Sequence, residues 1–143
     1  MSKLRKYLED ILIYMASGAG YIAGTIKRIK RRNVMDTNKY LEKLMNGEEK
    51  VLFNKDWYYI HFKEAGVLLK GDLNGKVIKI PKDWMQSVAG YKKARNKFIL
   101  RTTDGNFDFL VYGLRNLSKR RDMITGLIYE KYLKSEIPEE GWD

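Results

Sequence analysis

The order of secondary-structure signals after Glu48 limits the fold of this chain more than any other feature. Short runs rich in aromatic and β-branched residues alternate with turn residues as far as Gly113, and a single helical pattern follows over residues 114–133. The predicted strands cover residues 50–53, 57–62, 67–70, 77–80, 87–93, 97–103 and 106–112. Six or seven strands followed by one helix predict an antiparallel sheet with an end that the helix can plug.

Turn chemistry separates these strands. Asn74 and Gly75 mark a tight turn, and Asp104 and Gly105 form a strong hairpin signal. Residues 82–86 are expected to form one helical turn after Pro81. Alternation along the strands and the helix predicts a set of core residues, namely Trp57 or Tyr59, Leu69, Ile80, Trp84, Ile99, Phe109, Leu117 and Ile124.

Three segments resemble the pleckstrin-homology-like (PH-like) superfold in its bacterial PH and GRAM-type versions. The sequence NGEEKVLF is similar to the family's entry strand, and VIKIPKDWMQSVAGYKK is similar to its crossover between the two sheets. The sequence KFILRTTDGNFDFLVYG resembles the family's T-x-D-G hairpin. The resemblance covers about residues 47–134 and implies an α+β fold, in which a half-open antiparallel barrel is capped by a C-terminal helix and preceded by N-terminal helices.

The resemblance also implies a module that binds lipids, peptides or proteins and carries out no catalysis. Its lipid-binding members have a basic pattern in the loop between the first two strands, where this chain has only Asn54, Lys55 and Asp56. The densest basic group of the predicted domain lies in a later hairpin and consists of Lys92, Lys93, Arg95 and Lys97. These four residues are candidates for contact with an anionic surface, and a solvated loop is the alternative.

The first 33 residues are strongly basic around an apolar run. They carry eight Lys and Arg against Glu9 and Asp10, a net charge of +6 out of the +10 of the whole chain. Residues 11–26 carry no charge, and five cations follow within six positions, namely Lys27, Arg28, Lys30, Arg31 and Arg32. Such an arrangement is typical of a segment that meets an anionic surface, which makes these cations candidate contacts.

Three interpretations of this segment stay open. The basic run is in the wrong place for a secretory signal, and 16 uncharged residues extend only about 24 Å, which is short for a transmembrane helix. The third interpretation is an amphipathic helix, since Leu4, Leu8, Ile11 and Met15 follow a heptad-like spacing. Such a helix can pack on its own domain, on a membrane surface or on another copy of the chain.

Small residues at a spacing of four give this segment a face for close helix contact. Ala16, Gly20 and Gly24 lie on that face, where a second helix could approach. Glycine has a low helix propensity, so these glycines destabilise a continuous helix. A break in the helix near residues 17–20 is therefore compatible with the pattern. We expect residues 4–29 to be mainly helical and to make contacts outside their own domain.

A second helix is expected before the first strand. Asp36 or Thr37 can cap it, and Gly47 can end it. Its apolar face consists of Tyr40, Leu41, Leu44 and Met45. The sequence therefore predicts four regions: a basic helical segment over 1–33, a linker helix over 34–47, a PH-like domain over 48–134 and an acidic tail over 135–143.

Catalytic motifs are missing from the sequence. His61 is the only histidine and there is no cysteine. A transition-metal site therefore lacks a second nitrogen or sulfur ligand, and a thiol nucleophile is absent. His61 lies in an alternating strand, where a structural or surface role is expected. No phosphate-binding glycine loop is present. We therefore expect no enzyme activity, no cofactor and no metal.

Two classes of function agree with these observations. The first is a binding or scaffold module docked to a membrane surface or a larger assembly by its N-terminal helix, in the cytoplasm at the inner face of a membrane. The second is a nucleic-acid-associated protein that uses residues 27–32 and 92–97 for phosphate contacts. Homo-oligomerisation through the N-terminal helix agrees with the first class. The uncharged run 11–26 favours the first class, because DNA binding does not require it.

Overall fold

The structure is a computed structural model that describes residues 2–16 and 35–134. The described residues form three α-helices, α1 (Ser2–Ala16), α2 (Thr37–Met45) and α3 (Leu117–Ile128), and α3 continues into a π-helical turn (Tyr129–Leu133). The seven strands are β1 (Lys50–Phe53), β2 (Asp56–Lys63), β3 (Gly66–Gly71), β4 (Val77–Pro81), β5 (Met85–Gly90), β6 (Lys97–Thr102) and β7 (Gly105–Val111). A short 3-10 helix (Lys82–Trp84) joins β4 to β5.

All seven strands belong to one antiparallel sheet with the order β4-β3-β2-β1-β7-β6-β5. The first strand pairs with the last, with Val51 opposite Val111, and this pairing joins the two halves of the meander. Together with the helix that follows, this is the α+β, PH-like arrangement that the sequence predicted. The β1–β2 and β3–β4 turns lie at one end of the sheet, and because β6 runs in the same direction as β1, the β5–β6 hairpin lies at the other end.

Helix α3 closes the sheet at the end where the β5–β6 hairpin lies. Its residues Met123, Ile124, Leu127 and Ile128 are completely buried in the core. Beyond it, the hydroxyl of Tyr132 donates to the carbonyls of Lys63 and Gly66 in the β2–β3 connection, at 2.6 and 3.0 Å. The helix therefore spans from the β5–β6 hairpin to the β2–β3 turn, and its apolar side chains complete the core.

The prediction that Trp57 or Tyr59 is a core residue was wrong. The buried side chains of β2 are Tyr58, Ile60 and Phe62, and Trp57 and Tyr59 lie half-buried on the opposite face. Because every residue from Trp57 to Phe62 is aromatic, β-branched or histidine, alternation does not distinguish the two faces. The register with β1, in which Val51 pairs with Tyr58, determines which face of β2 is buried.

The other predicted core residues divide into three groups. Leu69, Ile80, Phe109 and Ile124 are buried in the main core, as predicted. Trp84 and Leu117 are only half-buried, since they lie at the ends of the elements they belong to. Ile99 is buried outside the main core, because the inward side chains of β6 are its neighbours Phe98 and Leu100.

Several boundaries differ from the predicted ones. The final helix begins at Leu117 rather than at Leu114, whose side chain is almost fully exposed. The predicted helical turn over 82–86 is a 3-10 turn of three residues, and β5 begins at Met85 and ends at Gly90.

Helix α2 is a packed part of the fold. Asp36 caps it by accepting a hydrogen bond from the amide of Lys39 at 3.1 Å, as predicted. Its side chains Tyr40, Leu41 and Leu44 are buried in the core.

The first helix also packs on its own domain. Ile11 is completely buried, Leu8 packs against the core, and α1 contacts α2, α3 and the π-helical turn. Leu12 and Ile13 are exposed, so that α1 has one face inside the fold and one face outside. The contacts predicted for residues 17–34, including those of Gly20 and Gly24, lie outside the described residues, as does the acidic tail.

Candidate functional site

The basic hairpin, which we define as residues 91–97, projects four exposed cations from one end of the sheet. The side chains of Lys92, Lys93, Arg95 and Lys97 are all exposed. The amide of Tyr91 donates to the carbonyl of Lys97 at 3.1 Å, and the amide of Lys97 donates to the carbonyl of Ala94 at 3.3 Å. These bonds close the loop, and the four predicted cations are therefore held close together at its tip.

Arg121, a buried residue of α3, holds the basic hairpin in place by hydrogen bonds to its backbone. Nη1 of Arg121 donates to the carbonyls of Tyr91 and Ala94, at 3.2 and 3.0 Å. Gly90 lies directly against the same guanidinium, since a Cβ at that position would be 2.6 Å from Nε of Arg121. The hairpin is therefore attached to the capping helix by the side chain of Arg121.

The charge of Arg121 is balanced by its neighbour Asp122. Nε and Nη2 of Arg121 each lie 3.0 Å from Oδ1 of Asp122, whose side chain is almost completely buried. Burial raises the pKa of Asp122 from its ordinary value of 3.8 to about 7, although the adjacent Arg121 charge lowers it. A buried carboxyl that titrates near neutral pH therefore lies beneath the basic hairpin.

One edge of the basic hairpin carries a counter-charge. The hydroxyl of Tyr91 donates to Oδ2 of Asp108 on β7 at 2.8 Å, and Nζ of Lys97 lies 5.5 Å from the centre of the Tyr91 ring. The hydrogen bond to Asp108 raises the pKa of Tyr91. Lys97 therefore contacts the Tyr91 ring within the hairpin. Lys92, Lys93 and Arg95 are exposed to solvent.

The β1–β2 turn is short. Asn54 and Lys55 both have positive φ angles, of 54° and 73°, and they form the complete connection between two strands. The turn itself offers a single exposed lysine, Lys55. The basic pattern that the resemblance implies for lipid-binding members has no room in a turn of this length.

A pocket of about 500 Å³ opens on the outer face of the sheet, between α2 and the start of α3. Its lining combines three cations, two carboxylates and two aromatic rings, from Lys43, Glu48, Glu49, Lys50, Trp57, Tyr112 and Arg120. The rings of Trp57 and Tyr112 meet edge to face with their centres 5.2 Å apart. Tyr112 is 70% exposed, so its ring is open to a ligand.

The floor of this pocket is a buried carboxylate with three partners. Oε2 of Glu49 accepts from Nη2 of Arg120 at 2.8 Å and from the hydroxyl of Tyr40 at 2.5 Å. Nζ of Lys43 lies 3.6 Å from Oε1. Burial and the neighbouring Glu49 charge raise the pKa of Tyr40 well above its ordinary value, so Tyr40 remains a neutral donor. Two cations therefore share one carboxylate.

Sequence analysis did not identify this pocket. Its residues come from four separate elements, and Arg120 lies 71 positions beyond Glu49 in the sequence. The only local signal was the pair of acidic residues at 48 and 49 before the first strand, which by itself is typical of an ordinary strand entry.

His61 has a packing role in the structure. Its ring lies against Gly47 at the end of α2, and its buried Nε2 has no hydrogen-bond partner among the described residues. Burial and the charges of Lys70 and Lys63 lower its pKa, which keeps the imidazole neutral. Within residues 2–16 and 35–134, no three acidic or histidine side chains gather to form a metal site.

The N-terminal candidates are not described in the structure. Lys27, Arg28, Lys30, Arg31 and Arg32 lie outside the described residues, and so do Gly20, Gly24 and the side chain of Ala16. The contact of residues 27–32 with an anionic surface therefore stays a prediction. None of the helices in the described part of the chain is long and apolar enough to cross a membrane.

Comparison with solved structures gives a similarity of fold. The chain is similar to the N-terminal PH domain of human ARAP2, with 19% sequence identity and a TM-score of 0.38. The match covers 68% of this chain and 93% of that domain. No family model matches the sequence. None of the curated proteins matches it either.

Proposed function

We propose that this protein is a non-catalytic binding module that docks on an anionic membrane surface. The observation that carries the proposal is the basic hairpin, in which exposed cations project from one end of the sheet and are held there by buried Arg121. Each such charge contributes roughly 1 kcal/mol near an anionic leaflet. The second element of the proposal is the basic cluster at residues 27–32, which adds five cations.

The packing of α1 decides how this proposal is tested. Deletion of residues 1–32 would remove Ile11 from the core along with the basic cluster, so a loss of binding would have two explanations. Substitution of charges in the full-length protein avoids this problem. Lys92 and Lys93 are suitable positions, because both are exposed and neither makes a described hydrogen bond.

The experiment is co-sedimentation of full-length protein with phosphatidylcholine vesicles, with and without phosphatidylserine. We expect binding only to vesicles with phosphatidylserine, and binding that weakens as salt is added. Lys92→Gln with Lys93→Gln should lower the partition coefficient about fivefold or more. Lys55→Gln with Lys76→Gln is the matched control, since it removes two exposed cations at the opposite end of the sheet.

Two results would contradict the proposal. Equal losses in the hairpin variant and in the control variant would indicate a nonspecific effect of net charge. Tighter binding to duplex DNA than to the anionic vesicles at the same salt concentration would favour the nucleic-acid alternative, in which the same cations neutralise phosphates of a duplex.

A further inference from the structure

The pocket between Trp57, Tyr112 and Arg120 has properties of a ligand site that are independent of the basic hairpin. It is of a size that suits a small ligand or a few residues of a peptide. Its rings supply an apolar wall, and its cations supply charge at the rim. Because Lys43 and Arg120 share Glu49, an incoming carboxylate would find a cation only partly neutralised.

The ligand chemistry that suits this pocket is an aromatic ring beside carboxylates. Tyr112 has its ring largely exposed and is held edge-on by Trp57, which leaves space for a third ring. Lys43 and Lys50 have half-exposed side chains near the pocket, where Nζ of Lys43 lies 3.6 Å from Glu49 and Nζ of Lys50 lies 3.2 Å from Asp72. An acidic group of a ligand can compete for either cation. Glu48 at the rim disfavours a ligand that carries negative charge alone, without a ring to place against the aromatic wall.

This chain contains such a ligand in its own sequence. Residues 135–143 read SEIPEEGWD, with four acidic residues, no basic residue and one tryptophan at position 142. This acidic tail lies outside the described residues. We propose that the pocket binds the acidic tail, with Trp142 against the rings of Trp57 and Tyr112 and with the carboxylates near Lys43 and Arg120.

The reach of the tail agrees with this proposal. From Arg120 to Lys134 the chain is helical, and 14 residues at 1.5 Å each separate the two positions by about 21 Å at most. From Lys134 to Trp142 there are eight residues, which span up to about 26 Å when extended. The tail can therefore return along α3 to the pocket at the beginning of that helix.

The test is fluorescence polarisation with a dye-labelled peptide of sequence SEIPEEGWD and full-length protein throughout. In the wild-type protein the tail competes with the peptide. A tail variant with Glu139→Gln, Glu140→Gln and Trp142→Ala leaves the pocket free, so we expect it to bind the peptide about tenfold or more tightly than the wild type does.

Pocket substitutions in the tail variant identify where the peptide binds. Tyr112→Ala and Lys43→Glu, both at exposed side chains, should each weaken peptide binding about fivefold or more. Leu114→Ala and Lys55→Glu are the matched controls, at an exposed apolar residue and at an exposed lysine that do not line the pocket. Both controls should bind the peptide as the tail variant does.

An acidic peptide could also bind the basic hairpin, and the same assay separates the two sites. If Lys92→Gln with Lys93→Gln abolishes binding while Tyr112→Ala leaves it intact, the pocket proposal is wrong. Equal peptide affinity in wild-type protein and tail variant would exclude the tail as occupant. Failure of this proposal would not affect the membrane proposal. That proposal rests on the basic hairpin, not on the pocket, and vesicle co-sedimentation tests it.

Discussion

The guanidinium of Arg121 binds a single oxygen of Asp122 with two of its nitrogens, and it leaves the second oxygen without a partner among the described residues. Asp122 is only 1% exposed, so that oxygen is removed from bulk solvent. The ion pair therefore fixes the basic hairpin, while burial opposes the ionised form of Asp122.

The first prediction concerns the pH dependence of stability. The pKa of Asp122 in the folded protein, about 7, lies above its ordinary value of 3.8, so the folded state holds this proton more tightly than the unfolded chain. The stability contributed by the proton is complete below about pH 4 and is lost as the pH rises through about 7. Asp122→Asn, which is always neutral, should be more stable than the wild type at pH 8, by at most about 4 kcal/mol.

Urea denaturation at pH 4 and at pH 8 measures this effect. The two proteins should have similar free energies of unfolding at pH 4, with the difference appearing as the pH rises. Asp108→Asn is the control, because it makes the same substitution at an exposed carboxylate. A difference that is the same at both pH values would show that Asp122 is already charged at pH 4.

The second prediction concerns the contact between Gly90 and Arg121. In Gly90→Ala the new Cβ would be 2.6 Å from Nε of Arg121, and the guanidinium is held by Asp122 and by two carbonyls of the hairpin. We expect a loss of about 1–3 kcal/mol in the free energy of unfolding. Amide chemical shifts of residues 91–97 should change with it. Ser87→Ala, at an exposed position on the same strand, should leave both unchanged, and an equal effect of the two substitutions would argue against the contact.

The third prediction compares two adjacent acidic residues. Glu49→Gln removes the charge that Arg120 and Lys43 share and weakens the bond from Tyr40, so it should destabilise the protein by about 2–4 kcal/mol. Glu48→Gln, at an exposed side chain one residue earlier, should change stability by less than about 0.5 kcal/mol. Thermal and chemical denaturation of both variants measure the contrast, and a similar stability for the two would exclude Glu49 as the centre of the cluster.

The fourth prediction concerns the packing of the first helix. Ile11→Ala should destabilise the protein by about 2–4 kcal/mol, because its completely buried side chain leaves a cavity among α1, α2 and α3. Ile13, two positions later, is 66% exposed, and Ile13→Ala should have almost no effect on stability. If neither substitution affects the denaturation midpoint, α1 contributes nothing to the core in solution.

The elements themselves were predictable because their signals are local. The dipeptide Asp104–Gly105, the cap at Asp36 and the single helical pattern after Gly113 each act within a few residues, and the structure places a hairpin, a helix start and a helix there. The exposure of Lys92, Lys93 and Arg95 was also predictable, since a run of cations in a turn has no apolar face to bury.

The inward face of β2 was not predictable in this way. Trp57, Tyr58 and Tyr59 are almost equally apolar, and only the pairing with β1 and the position of α2 decide which of them enters the core. Similarly, the spacing of Ile11 predicted an apolar helix face but not what covers that face. In the structure α2, α3 and the π-helical turn cover it.

The sequence by itself determined the strand and helix order, the basic hairpin and the excess of positive charge near the N-terminus, because these depend on residue type and short-range geometry. The tertiary structure alone decided the ion pairs Glu49–Arg120 and Arg121–Asp122 and the pocket beside Tyr112. Glu49 and Arg120 are 71 residues apart, and even the adjacent pair Arg121 and Asp122 is significant only because the sheet buries both. Burial is a property of the assembled fold, and it is burial that turns ordinary charged residues into a bound cluster with an altered pKa.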